Sequence, residues 1–132
     1  MKTDNLIVDK SKKFAIRTIR LFQYLQTEKK EFILSKQMLH SGTSIGANIK
    51  EAIKGQSDKD FQHKLNIALK EASETEYWLE LLVETEYISE KEFGSLHFDC
   101  VEIIKILTSI LKTSKSNAAS SEIMNRQNEL AS

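Results

Sequence analysis

The stretch FQHKLNIALKEASETEYWLELL, residues 61–82, decides the predicted fold. Small and apolar residues recur in it at alternating steps of four and three, and a helix of 3.6 residues per turn places that spacing along one face. This stripe consists of Phe61, Leu65, Ala68, Ala72, Thr75, Leu79 and Leu82. On the opposite side, where we expect water, glutamates recur every four residues at Glu76, Glu80 and Glu84. The stretch therefore predicts an amphipathic helix that packs in a bundle.

Three more segments have helical spacing, so the chain is predicted to hold four helices. Their approximate ranges are residues 5–26, 32–54 (or 35–54), 57–87 and 89 to about 112–115. Ser57 is predicted to cap the start of the third helix, and Ser89 with Glu92 forms a capping box at the start of the fourth. Gly55 is predicted to end the second helix in the left-handed conformation. The chain has no proline that would interrupt these helices.

The connections between the four segments are short and polar, which makes consecutive helices antiparallel. The sequence therefore predicts an all-α, antiparallel up-down four-helix bundle over residues 1–115. Residues 116–132 are rich in serine, asparagine and alanine and only weakly apolar, so we expect a flexible C-terminal tail there. A length of 132 residues suits one such domain.

The predicted helices carry more apolar surface than one four-helix core needs. The first helix has two neighbouring stripes, one of Ile7, Phe14, Thr18, Leu21 and Leu25 and one of Val8, Ala15, Ile19 and Phe22. Ile67, Trp78 and Leu81 flank the stripe of the third helix, and Ile103, Ile106 and Ile110 flank that of the fourth, which is Phe93, Leu96, Cys100, Ile104, Leu107 and Leu111. Contiguous exposed apolar surface usually marks an interface. We expect a homo-oligomer, and the alternative is a monomer whose helices have wide buried faces.

The segment SGTSIGANIKEA, residues 41–52, carries a polar strip beside the apolar face of the second helix. The strip consists of Ser41, Ser44, Asn48 and Glu51. Gly42 and Gly46 each cost about 1 kcal/mol of helix stability relative to alanine, and they should let another helix approach closely. Two interpretations stay open: a contact strip for a partner subunit or ligand, and local packing in which the polar side chains bond to the backbone.

Two carboxylates, Glu71 and Glu74, lie close to the face that carries Ile67, Trp78 and Leu81. Carboxylates beside apolar surface more often pair with lysine or arginine across an interface than act in chemistry. We therefore expect them to belong to an oligomer interface or partner strip, together with the polar strip of the second helix. An acid/base or metal pair is the alternative.

The sequence predicts no catalytic residue, cofactor or metal site. His40, His63 and His97 fall on three different helices, whereas a zinc site needs converging ligands. Cys100 lies on the apolar stripe of the fourth helix, so we expect a core residue rather than a nucleophile. It is the only cysteine and can form no internal disulfide, which fits a reducing cytoplasm. No stretch approaches the ~20 apolar residues of a membrane span, and we expect a soluble cytoplasmic protein.

Charge is balanced over the whole chain, with 19 basic and 19 acidic residues, but it is unevenly distributed. Residues 1–30 hold eight basic and three acidic residues, and residues 57–92 hold four basic and ten acidic residues. The basic residues Lys10, Lys13, Arg17 and Arg20 line one face of the first helix, opposite its apolar stripes. One interpretation is a solvated face in a bundle whose neighbouring helices have opposite charge. The other is a footprint for a nucleic-acid backbone.

Residues 41–52 and 61–82 resemble the signature of the bacterial four-helix bundle proteins, also called the 23S rRNA intervening-sequence protein family. The resemblance covers roughly residues 5–115, and its motif positions are Ser44, Ile45, Asn48, Glu51, Phe61, Ala68, Glu71, Glu74 and Trp78. It implies an antiparallel four-helix bundle that assembles into a ring-like homopentamer. A related branch, the accessory protein of diversity-generating retroelements, forms a basic pentamer that binds a reverse transcriptase and nucleic acid. This chain departs from that branch in its neutral charge.

Three hypotheses for the function follow from these residues and from the resemblance. The first is a non-enzymatic, homo-oligomeric interaction scaffold or adaptor that holds a protein partner. The alternative is an RNA- or DNA-binding oligomer linked to ribosomal RNA processing or to a reverse transcriptase. The third is an enzyme or metal carrier that uses Glu71, Glu74 and a histidine.

Overall fold

The computed structural model describes residues 2–131, with side chains for residues 6–117 and 123–128. It consists of four helices: α1 (Lys2–Thr27), α2 (Leu34–Ile53), α3 (Asp58–Glu84) and α4 (Glu90–Ala131). Each helix packs against its neighbours in chain order, and α1 closes the bundle against α4. The predicted all-α four-helix bundle is confirmed. None of the four described helices combines the length and the apolar character needed to cross a lipid bilayer.

The core lies along the centre of the bundle and uses one stripe from each helix. On α1 the buried stripe is the one that contains Ile7, Phe14 and Leu25. The second stripe lies at the edge of the core, because Phe22 is only half-buried and Ile19 is 40% exposed. On α3 the stripe from Leu65 to Leu82 is buried as predicted, although Phe61 is only half-buried.

On α4 the core stripe differs from the prediction at Phe93, which is only half-buried, and at the neighbours Ile103 and Ile104. Ile103, which was expected to be left over, is buried at 1% exposure, whereas Ile104 is only half-buried. The two neighbours are 100° apart on the helix and straddle the line that faces the bundle centre. Helix periodicity alone did not decide between them, and the packing of α4 against both α1 and α3 did.

The close contact between α1 and α2 depends on two glycines. A Cβ atom at Gly42 would lie 2.6 Å from Cγ2 of Thr18, and one at Gly46 would lie 3.3 Å from Oγ of Ser11. Any residue other than glycine at position 42 would therefore push the two helices apart or displace Thr18. The close helix approach that these glycines predict takes place within the chain.

The start of α2 is capped by a residue that sequence patterns did not identify. The carboxylate of Glu31 accepts hydrogen bonds from the backbone N–H groups of Ser35 (2.7 Å), Leu34 (3.0 Å) and Ile33 (3.2 Å). The Ser35 hydroxyl donates in return to the carbonyl of Glu31 at 2.8 Å. Burial by itself would raise the pKa of Glu31, but these hydrogen bonds outweigh it and hold the pKa below its usual value.

The other helix ends confirm two predictions and correct one. Ser57 accepts from the N–H of Asp60, and Ser89 exchanges hydrogen bonds with Glu92 as a capping box. Gly55 does not take the left-handed conformation, because its N–H bonds back to Ala52 at 3.0 Å and closes α2 with a tighter turn. The left-handed residues among those described are instead Lys30 and Glu86.

Helix α4 continues well past its predicted end. It was expected to fade between residues 112 and 115, yet it extends to Ala131. The segment contains neither proline nor glycine, so nothing in its backbone forces the helix to stop. The described side chains from Lys115 onward are all exposed, and a flexible tail over residues 116–132 stays a prediction.

We expect Gly42→Ala to lower the free energy of unfolding by about 1–3 kcal/mol, because its methyl group overlaps Thr18. The matched control is Gly46→Ala, which has the same gain in helix propensity and a milder contact. It should change stability by less than about 1 kcal/mol. Urea denaturation measures both. Adding Thr18→Ser, which removes the overlapping methyl, should recover part of the Gly42→Ala loss. Equal losses from the two glycine variants would contradict this account.

We expect Glu31→Gln to lower the free energy of unfolding by about 1 kcal/mol at neutral pH. The folded-state pKa of Glu31 is lowered, so its contribution is present above the unfolded-state pKa of about 4.3 and is lost as pH falls through the folded-state value. The variant should therefore lose less stability than the wild type as the pH falls from about 6 to about 3. Exposed Glu28→Gln is the control, and identical pH profiles for all three proteins would exclude the cap.

Candidate interaction strip between α2 and α3

The predicted strip residues of α2 and α3 lie along the seam between those helices. Two contacts define the seam: the Thr75 hydroxyl donates to Oγ of Ser41 at 2.8 Å, and Nζ of Lys64 lies 3.1 Å from Oε2 of Glu51. We call the surface along it the α2–α3 strip. It comprises Ser44, Asn48, Glu51, Ile67, Glu71, Glu74, Trp78 and Leu81, with Ser41 beneath.

Ser41 supports the strip and does not line its surface. It is 1% exposed, and its hydroxyl also donates to the carbonyl of Met38 at 3.3 Å. Its burial favours the interpretation of local packing, and a part for Ser41 in a partner contact stays a prediction. Its neighbours Ser44 and Asn48 are half-buried and donate to the backbone carbonyls one turn earlier, at 2.6 and 2.8 Å. The hydrogen bond of Asn48 uses its Nδ2 atom and not its Oδ1 atom.

The α3 side of the strip is apolar and acidic. Ile67, Trp78 and Leu81 are half-buried, and Glu74 is exposed. The ring of Tyr77, which is 53% exposed, lies against that of Trp78 with 5.3 Å between their centroids. A half-buried tryptophan beside an exposed tyrosine is typical of the residues that anchor protein interfaces.

Glu71 is the least satisfied polar group on this surface. Its Oε2 is buried and accepts no hydrogen bond. Burial first, and then the negative charge of Glu74, raise the pKa of Glu71, against the opposing effects of His40 and Lys70. A buried carboxylate oxygen without a donor is energetically costly. The position therefore favours a donor that another molecule would supply.

The four basic residues that were predicted to line one face of α1 fall into two groups of two. Lys10 lies 2.6 Å from Oε1 of Glu102, and Arg17 lies 2.6 Å from Oδ2 of Asp99. Arg17 also donates to the hydroxyl of Ser95 at 2.9 Å. Their long side chains reach across to α4, so these two cations close the bundle and do not project from a free outer face.

Lys13 and Arg20 remain on the exposed surface of α1. Lys13 pairs with Asp9 in the preceding turn, at 3.0 Å, and such an exposed pair contributes little to stability. The hydrogen bond with Glu102 raises the pKa of Lys10 above its usual value, which agrees with its place in the α1–α4 contact. Nucleic-acid binding by the full stripe stays a prediction. Two of its four cations, Lys10 and Arg17, form ion pairs with α4 of the same subunit.

Cys100 has the surroundings of a core residue, as predicted. It is fully buried, and its Sγ donates to the carbonyl of Ala72 at 3.3 Å. Burial, with smaller effects from the charges of Glu76 and Asp99, raises the pKa of this thiol to about 12. A thiol that stays protonated at neutral pH is a poor nucleophile.

A second polar cluster lies on the opposite edge of α3 and was missed in the sequence. Glu76 was expected in water, but it is half-buried against α4, with its Oε2 2.8 Å from Nε2 of His97. Exposed Glu80 lies one turn away on α3. No sequence pattern joins residues 76 and 97, because their proximity follows from the register of α3 on α4.

Comparisons with known proteins agree with the fold and the motif residues. The family model described as 23S rRNA-intervening sequence protein matches residues 3–109. A crystal structure from Bacteroides thetaiotaomicron, of a protein with unknown function from the S23 ribosomal protein family, matches with a TM-score of 0.83. The two sequences are 58% identical, and the match covers 83% of this chain and 98% of that chain. Comparison with curated proteins gives no match.

The family match includes both signature stretches, residues 41–52 and 61–82, which carry the α2–α3 strip. The solved relative shares the helical bundle and is 58% identical over the matched part of the chain. On this evidence the chain belongs to the 23S rRNA-intervening sequence protein family.

Proposed function

We propose that the protein is a homo-oligomeric interaction scaffold whose subunits associate through the α2–α3 strip. The observation that carries the proposal is the buried Oε2 of Glu71, which accepts no hydrogen bond and lies on the same side of α3 as the half-buried ring of Trp78, two turns away. A surface that is both apolar and short of a hydrogen-bond donor gains most from a partner that is apolar and cationic.

The same chain offers such a surface on the outside of α1. We define the α1 outer face as Lys12, Lys13, Ile16, Ile19 and Arg20, all of which are exposed. Ile16 is 43% exposed and Ile19 is 40% exposed. This face is basic and apolar, whereas the α2–α3 strip is acidic and apolar. We propose that the α1 outer face of one copy packs on the α2–α3 strip of the next.

Charge decides between this arrangement and a symmetric one. Two α2–α3 strips packed face to face would place Glu71 and Glu74 against the same residues of the other copy. Like charges brought together in that way oppose association. A head-to-tail contact pairs opposite charges instead, and it generates a closed ring when the rotation between subunits closes. The family resemblance implies five subunits.

Apolar burial supplies most of the affinity in this proposal. Exposed ion pairs are worth about 0–1 kcal/mol each, whereas full burial of a large apolar side chain contributes about 1.5–3 kcal/mol. Trp78 against Ile16 and Ile19 would therefore drive association, and Arg20 near Glu71 and Glu74 would set its register. A ring of this kind repeats one surface several times, which suits a scaffold that holds a protein partner.

Binding of RNA or DNA is the second candidate function, and the exposed cations Lys12, Lys13 and Arg20 favour it. The two proposals use the same residues in different ways. A subunit contact would cover these cations with the acidic strip, whereas a nucleic acid would need them accessible. Binding of labelled RNA that weakens steeply with salt and is lost in Arg20→Glu, with the mass of the assembly unchanged, would favour the second candidate.

We expect the purified protein to sediment at a multiple of 15.1 kDa. Arg20→Glu and Glu74→Arg should each weaken self-association by about tenfold or more, a change of about 1.4 kcal/mol. The double variant should recover the affinity of the wild type, because the positive and negative charges of the pair are exchanged and still attract. Lys105→Glu, an exposed change on α4, is the control. If the wild type is monomeric at every concentration, the proposal is wrong. If neither charge reversal changes the mass of the assembly, the interface lies elsewhere.

We expect Glu71→Gln to stabilise the isolated subunit but to weaken the assembly. The folded-state pKa of Glu71 is raised, so its favourable contribution is present below the unfolded-state pKa of about 4.3 and is lost as pH rises through the folded-state value. At neutral pH the ionised group therefore disfavours folding.

Urea denaturation on the Arg20→Glu background, at a protein concentration low enough for the weakened assembly to dissociate, measures the stability. Sedimentation on the wild-type background measures the assembly. Exposed Glu84→Gln, at the end of α3, is the matched control for stability and should leave it nearly unchanged. A loss of monomer stability in Glu71→Gln would contradict the argument.

A further inference from the structure

We propose that Glu76, Glu80 and His97 bind one divalent transition-metal ion of the zinc class at the seam between α3 and α4. The site lies on the edge of α3 away from the α2–α3 strip and is independent of the proposed assembly. Its role would be to join α3 to α4 on the outside of the core. Three observations carry the inference: the convergence of the ligand atoms, the support of the imidazole ring and the open approach to it.

The three side chains converge from two helices. One ligand atom from each lies within 4.8 Å of the other two. Nε2 of His97 and Oε2 of Glu76 lie 2.8 Å apart. Zinc bonds of about 2.0–2.1 Å in a tetrahedral site place ligand atoms roughly 3.4 Å apart, which lies between these two distances. Rotamer adjustments of exposed Glu80 would complete the set without backbone movement.

The imidazole is held in place by its own helix. The ring of His97 stacks on that of Phe93, one turn earlier, with 4.9 Å between centroids and 21° between planes. Preorganised ligands bind metals with a smaller entropic cost. The side chains of His97 and Glu76 are about one-third exposed, at 34% and 31%, so the site is partly shielded from water and still accessible.

Gly94 is exposed and adds no side chain to this part of the α4 surface. It lies three residues before His97, on the same side of α4, and a Cβ atom there would meet nothing within 4 Å. Three protein ligands with an open position for water is the usual arrangement of non-structural zinc sites.

The chemistry of the donor set favours zinc-class ions over calcium or magnesium. One imidazole nitrogen and two carboxylate oxygens suit Zn²⁺ and its neighbours among the divalent transition metals, whereas Ca²⁺ and Mg²⁺ prefer oxygen ligands alone. The two carboxylates balance the charge of the ion. Cys100 is excluded as a fourth ligand, because its thiol is fully buried and donates to the carbonyl of Ala72.

The test is calorimetric titration of the full chain, freed of metal by chelator dialysis, with Zn²⁺ and with Co²⁺. We expect one ion per chain and a rise of several degrees in Tm at metal concentrations about a hundredfold above Kd. The Co²⁺ complex should show the visible absorption of a low-symmetry, four- or five-coordinate site. Mg²⁺ at the same concentration should produce neither the heat nor the Tm change.

Variants assign the ligands. His97→Gln should abolish binding, and Glu80→Gln should weaken it by about tenfold or more. Glu80 is exposed, so its variant keeps the test decisive if His97→Gln does not fold. His63→Gln, which removes an exposed histidine of α3 outside the proposed site, is the matched control and should bind the metal as the wild type does. The absence of saturable binding, or equal binding in Glu80→Gln and the wild type, would overturn the proposal.

Discussion

The close approach of α1 to α2 at Gly42 and Gly46 is the constraint on which the rest of the structure depends. Because Thr18 occupies the space of a missing Cβ, α1 can lie on α2 in one rotation only. That rotation turns the stripe of Phe14 inward and leaves Ile16 and Arg20 on the outside. It also points Lys10 and Arg17 at α4, where ion pairs complete the closure of the bundle.

Helix α3 then has a different role on each of its two edges. One edge carries Glu71 and Trp78 beside α2, and the other carries Glu76 beside His97 of α4. The buried stripe between them belongs to the core. A helix of 27 residues can serve these separate purposes because its sides are separated by the core stripe, and a substitution on one edge need not disturb the other.

Glu71 and Glu31 show how differently the fold treats two carboxylates that it takes partly out of water. The carboxylate of Glu71 is partly buried without a donor, and its raised pKa records that unfavourable position. In the proposed assembly a neighbouring cation would satisfy it, so the free energy lost in folding the subunit would be regained on association. Glu31 is the contrasting case, since three backbone N–H groups of its own chain satisfy it and lower its pKa.

The sequence alone determined the number of helices, their order, most of their core residues and the capping residues Ser57 and Ser89, because these follow from local periodicity and local hydrogen bonds. It also brought together the members of the α2–α3 strip, since both signature stretches face one seam. Tertiary structure decided what depends on helix rotation and register: which α1 stripe is buried, whether Ile103 or Ile104 faces the core, and that Ser41 lies beneath the surface. The pairing of Arg17 with Asp99 and of Glu76 with His97 joins residues far apart in the chain, and no spacing rule along one helix contains that information.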